Sequence, residues 1–134
     1  MEYLARIVRL RPLTIHFCLH NPAETNRPVY IPRTLGPLGV FVDIEVRERE
    51  GERRVVYEGP TVRATYRLAP GRDDSYQPLE AGYTFGVMLR ADDFDAPPGE
   101  YELTLRYANA PFEGTPNAPV GKLILEGTLD FEVD

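Results

Sequence analysis

Hydrophobic and polar residues alternate along most of this chain, as they do in strands that bury one face and expose the other. The alternation is most regular in residues 13–20, 83–89, 101–107 and 123–133. In the last stretch Leu125, Leu129 and Phe131 share one parity, and Gly127 interrupts it. No stretch has a convincing 3.6-residue period. The pattern therefore predicts an all-β protein.

Residues 79–107 predict two antiparallel strands joined by a corner that carries three aspartates and a Pro-Pro-Gly sequence. The apolar faces of these strands are Tyr83, Phe85, Val87 and Leu89 in the first, and Tyr101, Leu103, Leu105 and Tyr107 in the second. Tyr101 directly follows Gly99 and Glu100, as the tyrosine of a tyrosine corner does when its hydroxyl bonds back to the connecting loop. We interpret the pair as strands E and F of an immunoglobulin-like sandwich.

Shorter alternating segments predict the remaining strands. They are residues 2–10 as a first edge strand, then 13–20, 40–47, 53–57, 61–68 and 123–133, with a short extended piece at 29–31. Within residues 40–47, Val40 and Val42 are expected to point inward and Phe41 outward. Residues 69–78 are expected to form a polar loop. We predict one domain, residues 1–134, with an immunoglobulin-like Greek-key β-sandwich fold of seven or eight antiparallel strands.

Composition and charge argue against several classes of protein. The 134 residues suit one domain, and 13 prolines with 11 glycines favour short strands and tight turns over a helical bundle. A formal net charge of −6 argues against a nucleic-acid binder or a protein held on anionic membranes, because both need an excess of basic residues. No segment approaches the apolar length of a membrane span, so we expect no membrane insertion.

The cysteine content and the first residues bear on the compartment. Cys18 is the single cysteine of the chain, which excludes an internal disulfide and is compatible with a reducing compartment. Charges at Glu2, Arg6, Arg9 and Arg11 break up the apolar residues near the start, so no signal-peptide core is present. The prediction is a cytoplasmic protein, or a secreted or periplasmic one if a leader has been removed.

His16, Cys18 and His20 form the most interesting chemical pattern. Residues two apart on a strand point the same way, so imidazole and thiolate groups there are able to surround one zinc or copper ion. The plainer interpretation is a row of partly exposed side chains on the outer face of a strand. Because the chain has no further cysteine or histidine, a fourth ligand would have to be an acid or water. A small metal-binding protein is therefore kept as an alternative.

A second group, Asp92, Asp93 and Asp95, with Asp73 and Asp74, offers oxygen ligands for calcium. The spacing fits no EF-hand loop, and aspartates are common simply as turn formers. Neither histidine lies beside a nucleophile motif, no glycine-rich phosphate loop occurs, and Cys18 lies within a strand instead of at a helix N-terminus. We predict a protein that is not an enzyme and holds no metal or other cofactor.

The order of features from Leu13 to Tyr107 resembles the N-terminal, propeptide-type domain of deuterolysin-like peptidyl-lysine metalloendopeptidases. The matching segments are LTIHFCLHN, RTLGPLGV, Tyr57-Glu58-Gly59-Pro60, Arg63, Leu79-Glu80-Ala81-Gly82, Phe94-Asp95, Gly99, Tyr101 and Tyr107. They cover about two-thirds of the chain. Two departures stand out: Ala81-Gly82 replaces the usual Pro-Gly, and the 134 residues contain no zinc-binding HExxH sequence.

The resemblance implies a stand-alone sandwich that binds another protein, a peptidase in its family, as an inhibitor or a propeptide-like chaperone. By position only, it directs attention to the loop of residues 28–39 and to residues 57–63. The candidate partner-binding residues are Tyr30, Arg33, Thr34, Leu35, Tyr57 and Arg63. Exposed tyrosines are frequent at protein interfaces, which agrees with this choice.

Two alternatives stand beside this protein-binding module. The first is a structural subunit that self-associates into a homo-oligomer through an edge strand. The second is the metal-binding protein built on His16, Cys18 and His20. The sequence leaves open the identity of the partner, the oligomeric state, the face used and the presence of inhibitory activity.

Overall fold

The computed structural model describes residues 1–59, 76–109 and 123–134. These residues contain nine strands and one 3₁₀ turn. The strands are β1 (Glu2–Leu10), β2 (Leu13–His20), β3 (Val29–Pro32), β4 (Val42–Glu48), β5 (Val55–Glu58), β6 (Tyr76–Leu79), β7 (Thr84–Ala91), β8 (Gly99–Ala108) and β9 (Ile124–Val133), and the turn is Ala23–Thr25. The expected all-β class is confirmed. The strand predicted at residues 61–68 lies outside the described residues.

The described strands form three sheets, and every pairing within them is antiparallel. One sheet has the order β1-β2-β7, a second has the order β5-β4-β8-β9, and β3 pairs with β6 in a third. The strands β7 and β8 follow one another in sequence but belong to different sheets. The corner between them, at residues 92–98, therefore carries the chain from one sheet to the other.

The two larger sheets share one hydrophobic core, whose centre lies between β2 and β8. The buried side chains of these two strands are Leu13, Ile15, Phe17 and Leu19 on β2, and Leu103, Leu105 and Tyr107 on β8. Across the core, the rings of Phe17 and Tyr107 lie 6.0 Å apart. Because burial of each large apolar side chain contributes about 1.5–3 kcal/mol, this pair of alternating strands supplies much of the stability.

Tyr101 forms the hydrogen bond predicted for it. Its hydroxyl donates to the carbonyl oxygen of Pro97 at 2.5 Å, four residues upstream in the corner. The ring is buried and packs against Phe131 of β9, with centroids 5.8 Å apart. The tyrosine thus ties the crossover between the sheets to the start of β8.

The structure corrects the predicted start of β4. This strand begins at Val42, not at residue 40, because residues 37–41 form a turn in which the Gly39 amide donates to the carbonyl of Val42 at 2.8 Å. Phe41, expected to face outward, is only 1% exposed. Its carbonyl oxygen accepts from the Ala108 amide at 2.9 Å, which places the residue against the end of β8.

Two further expectations around the E strand are wrong. Residues 76–78, assigned to a polar loop, belong to β6, which pairs with β3 and brings the strands of the described residues to nine. Tyr76 is buried, and its hydroxyl donates to the carbonyl of Asn109 at 2.8 Å. Tyr83, placed on the inward face of the E strand, precedes β7 and is 64% exposed. The inward face of β7 begins with Phe85 instead.

Tyr107 differs from Tyr101 in having no partner for its polar atom. The side chain is completely buried, and its hydroxyl has no hydrogen-bond partner in the part of the chain that the structure describes. A buried hydroxyl without a partner costs free energy relative to its hydrated state. The phenyl ring of Tyr107 therefore stabilises the core, while its oxygen opposes that effect.

We expect the two tyrosines to respond oppositely to loss of the hydroxyl. Tyr101→Phe should lower the free energy of unfolding by about 1 kcal/mol, because the bond to Pro97 is lost. Tyr107→Phe should raise it by about 1 kcal/mol, because an unpaired buried oxygen is removed. Urea unfolding measures both changes, and Tyr83→Phe serves as an exposed control. A loss of stability in Tyr107→Phe as large as that in Tyr101→Phe would contradict this account.

The burial of the Tyr107 hydroxyl also predicts a loss of stability at alkaline pH. Burial, and to a smaller extent the neighbouring Tyr76, raise the pKa of Tyr107 well above its ordinary value of 10.0. The folded state therefore holds this proton more tightly than the unfolded state, so the contribution is complete below pH 10 and is lost as the pH rises further. Between neutral pH and about pH 11, Tyr107→Phe should lose less stability than the unchanged protein. Equal losses in both proteins would argue against the assignment.

Candidate protein-binding groove

The strands β1 and β9 are both edge strands of the described sheets. In the described part of the chain, β1 pairs only with β2, and β9 pairs only with β8. Each strand therefore leaves one edge of its backbone without a partner strand. Such an edge is a template for pairing with another polypeptide. Since β1 and β9 belong to different sheets and contact each other, the two free edges lie on the same side of the protein.

Tyr3 closes this side of the protein at one end. Its ring lies 6.0 Å from that of Phe17, and its hydroxyl lies so close to Gly127 that a Cβ added to the glycine would overlap it. The interruption of the apolar parity at Gly127 thus has a steric reason: the space of a side chain on β9 is filled by a side chain from β1. The contact holds the two edge strands together at this point.

Farther along both strands the contact opens into a groove. Its apolar floor consists of the half-buried Ile7, Leu10, Leu129 and Phe131, and its rims carry Arg6 and Arg9 on the β1 side and Asp130 and Glu132 on the β9 side. Tyr3 meets β9 at Gly127, and residues 6–10 face residues 129–132. The two strands therefore run in the same direction.

The charges on the two rims are opposite and largely unused. Among the described residues, Arg6 and Arg9 have no ion-pair partner, and neither does Glu132. Asp130 has one long contact, 3.9 Å from its Oδ2 to Nε of Arg49. All four rim side chains are exposed. The groove therefore presents a basic wall and an acidic wall on either side of an apolar floor.

A cluster of aromatic side chains extends from the apolar floor of the groove. From Phe131 it extends to Phe94 in the corner before β8, with centroids 6.2 Å apart, and from Phe94 to Tyr57 of β5, at 5.5 Å and nearly edge-on. The Tyr57 hydroxyl donates to Asp93 at 2.6 Å. Burial, followed by this bond to a carboxylate, raises the pKa of Tyr57 above its ordinary range. Tyr57 is thus engaged within the protein, although it is only half-buried.

The other residues predicted from the resemblance are not gathered into one site. Tyr30 is half-buried in β3, and Arg33 and Thr34 are exposed in the loop that follows, whereas Tyr57 belongs to the four-stranded sheet. Leu35 is completely buried in the core, so its selection as a contact residue is corrected: a partner cannot reach it in this fold. Arg63 lies outside the described residues.

The structure brings together two of the three predicted metal ligands. Nε2 of His16 and Sγ of Cys18 are 3.3 Å apart on the outer face of β2, where a Cβ on Gly86 of the neighbouring strand would lie only 2.9 Å from the sulfur. His20 is instead hydrogen-bonded to the Thr84 hydroxyl at 2.9 Å. In residues 1–59, 76–109 and 123–134, no three His, Cys, Asp or Glu side chains are arranged to hold a metal ion.

Two of the predicted calcium ligands, which lie in the corner before β8, also have partners of their own. Asp92 pairs with Arg90 at 2.8 Å, and Asp93 accepts the hydroxyl of Tyr57. Asp95 is exposed, while Asp73 and Asp74 lie outside the described residues. Asp92 and Asp93 thus serve separate local contacts.

Comparison with protein-family models, curated proteins and solved structures finds no match to this chain. The resemblance to the propeptide-type domain therefore stays a prediction.

Within the described residues there is no helix of the length and apolarity that crossing a membrane requires. The groove was not selected from the sequence, although one signal for it is present there: the first strand carries arginines and the last carries acidic residues.

A double-mutant cycle tests the contact between Tyr3 and Gly127 that closes the groove at one end. Gly127→Ala should lower the free energy of unfolding by about 1–3 kcal/mol, because the new methyl group forces the Tyr3 ring aside. In a Tyr3→Ala background the same change should cost almost nothing, since a glycine in a strand is otherwise the less stable residue. Urea unfolding of the four proteins gives the coupling. Equal costs of Gly127→Ala in both backgrounds would show that Tyr3 does not occupy this space.

Proposed function

We propose that this chain is a non-catalytic β-sandwich of immunoglobulin-like Greek-key topology that binds another polypeptide along the groove between β1 and β9. The observation that carries the binding proposal is the meeting of two strand edges, neither of which has a second partner strand among the described residues, above a half-buried apolar floor. An extended segment in this groove would gain main-chain hydrogen bonds from an edge and apolar contacts from the floor. Side-chain selectivity would come from the charged rims.

The topology proposal is supported by the order of the strands. The arrangement β1-β2-β7 opposite β5-β4-β8-β9 follows the arrangement of strands A-B-E opposite C′-C-F-G in immunoglobulin-like domains. The crossing from β7 to β8 takes the place of the E–F corner, and Tyr101 with its bond to Pro97 takes the place of the corner tyrosine.

A non-catalytic role is supported by the arrangement of the reactive side chains. His16 and Cys18 contact each other on the outer face of a sheet, and among the described residues no third His, Cys, Asp or Glu side chain is arranged with them to hold a metal ion. In the corner, Asp92 and Asp93 are each engaged by a partner of their own, Arg90 and Tyr57. Peptide binding at a strand edge needs none of these groups, since its energy comes from backbone and apolar contacts.

The resemblance adds a narrower form of the proposal, in which the partner is a peptidase. Binding would then act as inhibition or as propeptide-like chaperoning, by steric cover alone. The exposed Arg33 and Thr34 are additional candidate contacts in that case, while Tyr57 contributes through its support of Phe94.

The test compares what three purified baits retain from a lysate of the source organism. The baits are the unchanged chain, a rim variant with Arg6→Glu and Arg9→Glu, and a control variant with Arg53→Glu and Arg54→Glu. The control makes the same change in charge on the turn between β4 and β5, at two arginines that do not line the groove. We expect proteins held by the unchanged chain and by the control to be lost from the rim variant, as identified by mass spectrometry.

Identical recovery on all three baits would contradict binding at this groove. The substituted arginines are exposed, so folding should be preserved, and circular dichroism with thermal unfolding checks this for each bait. If a peptidase is among the proteins lost, its activity on lysyl peptides in the presence of the unchanged chain decides the narrower proposal.

A further inference from the structure

We infer that the polypeptide which fills the groove is a second copy of this chain, with β1 of each copy pairing with β9 of the other. This inference rests on the proposed function, because it names the partner for the same groove. Its starting point is that one copy carries both members of a complementary pair: a basic free edge on β1 and an acidic free edge on β9. The two edges are also closely matched in length, since β1 has 9 residues and β9 has 10.

The geometry of one copy determines how two copies fit. Because β1 and β9 run in the same direction and lie on the same side, a twofold axis parallel to the strands places β1 of each copy beside β9 of the other. A rotation about such an axis changes neither the direction of a strand nor the position of its residues along the axis. Each β1 therefore pairs in parallel with β9 of the other copy. Each sheet of one copy then continues into the opposite sheet of the other, and the arrangement closes as a dimer.

The same axis brings the charges into register. Arg6 and Arg9 lie at the level of Asp130 and Glu132 along the groove within one copy, so they lie at that level across the interface as well. Each dimer contains this contact twice. It gives the exposed arginines of β1 the carboxylate partners that they do not have among the described residues of their own chain.

A second copy complements both walls of the groove, which a segment carrying charges of one sign does not. A single acidic segment would suit the arginine rim but would face Asp130 and Glu132 on the other wall, where like charges repel. The second copy offers an acidic edge to the basic wall and a basic edge to the acidic wall. It also brings a second apolar floor against the first, which buries Ile7, Leu129 and Phe131 more completely than one chain does alone.

Charge reversal tests this pairing. One variant carries Arg6→Glu and Arg9→Glu, and a second carries Asp130→Arg and Glu132→Arg. In sedimentation-velocity experiments the unchanged chain should be a dimer, and each variant alone should dissociate with a dissociation constant about 100-fold or more higher, because both interfaces become repulsive. An equimolar mixture of the two variants should form a mixed dimer, since the reversed, acidic β1 of one variant then meets the reversed, basic β9 of the other, and natural β1 meets natural β9 at the second interface.

The control is the variant with Arg53→Glu and Arg54→Glu, which should remain a dimer. Three results would overturn the inference: a monomeric unchanged chain at every concentration, a dimer that tolerates both charge reversals, or a mixture that stays monomeric. A measurement without variants adds to this. On raising the concentration of the unchanged chain, hydrogen exchange should slow at the backbone amides of β1 and β9, and not at those of β5.

These results also separate this inference from the proposed function. If the unchanged chain is monomeric but the Arg6 and Arg9 variant still loses a captured protein, the groove binds a different polypeptide and only the second copy is excluded. If the chain is monomeric and capture is insensitive to the rim, the groove itself is not a binding site. Both outcomes reject the self-pairing stated above.

Discussion

The structure depends on the packing of two antiparallel sheets around the side chains of β2 and β8. The contact between Phe17 and Tyr107 spans this core, and alternating residues on both strands bury their apolar members around it. A short corner before β8 joins the two sheets at one end. The hydrogen bond from the Tyr101 hydroxyl to the Pro97 carbonyl holds this corner in place.

The groove follows from the same arrangement. The central strands have partners on both sides, but β1 and β9 are outermost, one in each sheet, and no strand of the described residues covers them. Tyr3 fills the gap between them beside Gly127, where the last strand lacks a side chain. Beyond that point the inward residues of both strands stay half-buried. Incomplete burial of an alternating apolar face, beside strand edges that have no second partner strand among the described residues, supports the proposal that a strand is added at this side of the protein.

Much of the fold could be predicted because alternation is a local signal. It gave the first edge strand, β2, β7, β8 and β9, and the tyrosine corner followed from one residue and its neighbours. The sequence could not place Phe41, because its burial depends on a turn that packs against the end of β8. Nor could it find β6, whose pairing with β3 joins segments far apart in the chain. Leu35 was chosen by position in a loop, and tertiary packing buries it. The groove combines residues from both ends of the chain, so only the fold brings its opposite charges together.

The most direct test of the account is an isotope-filtered nuclear Overhauser experiment on a mixture of labelled and unlabelled chains at high concentration. It reports only proton contacts between different copies. The account predicts intermolecular contacts between residues 6–10 of one copy and residues 129–132 of the other, with none to β5. An absence of contacts between copies at these strands, or contacts confined to another face, would contradict the pairing of β1 with β9.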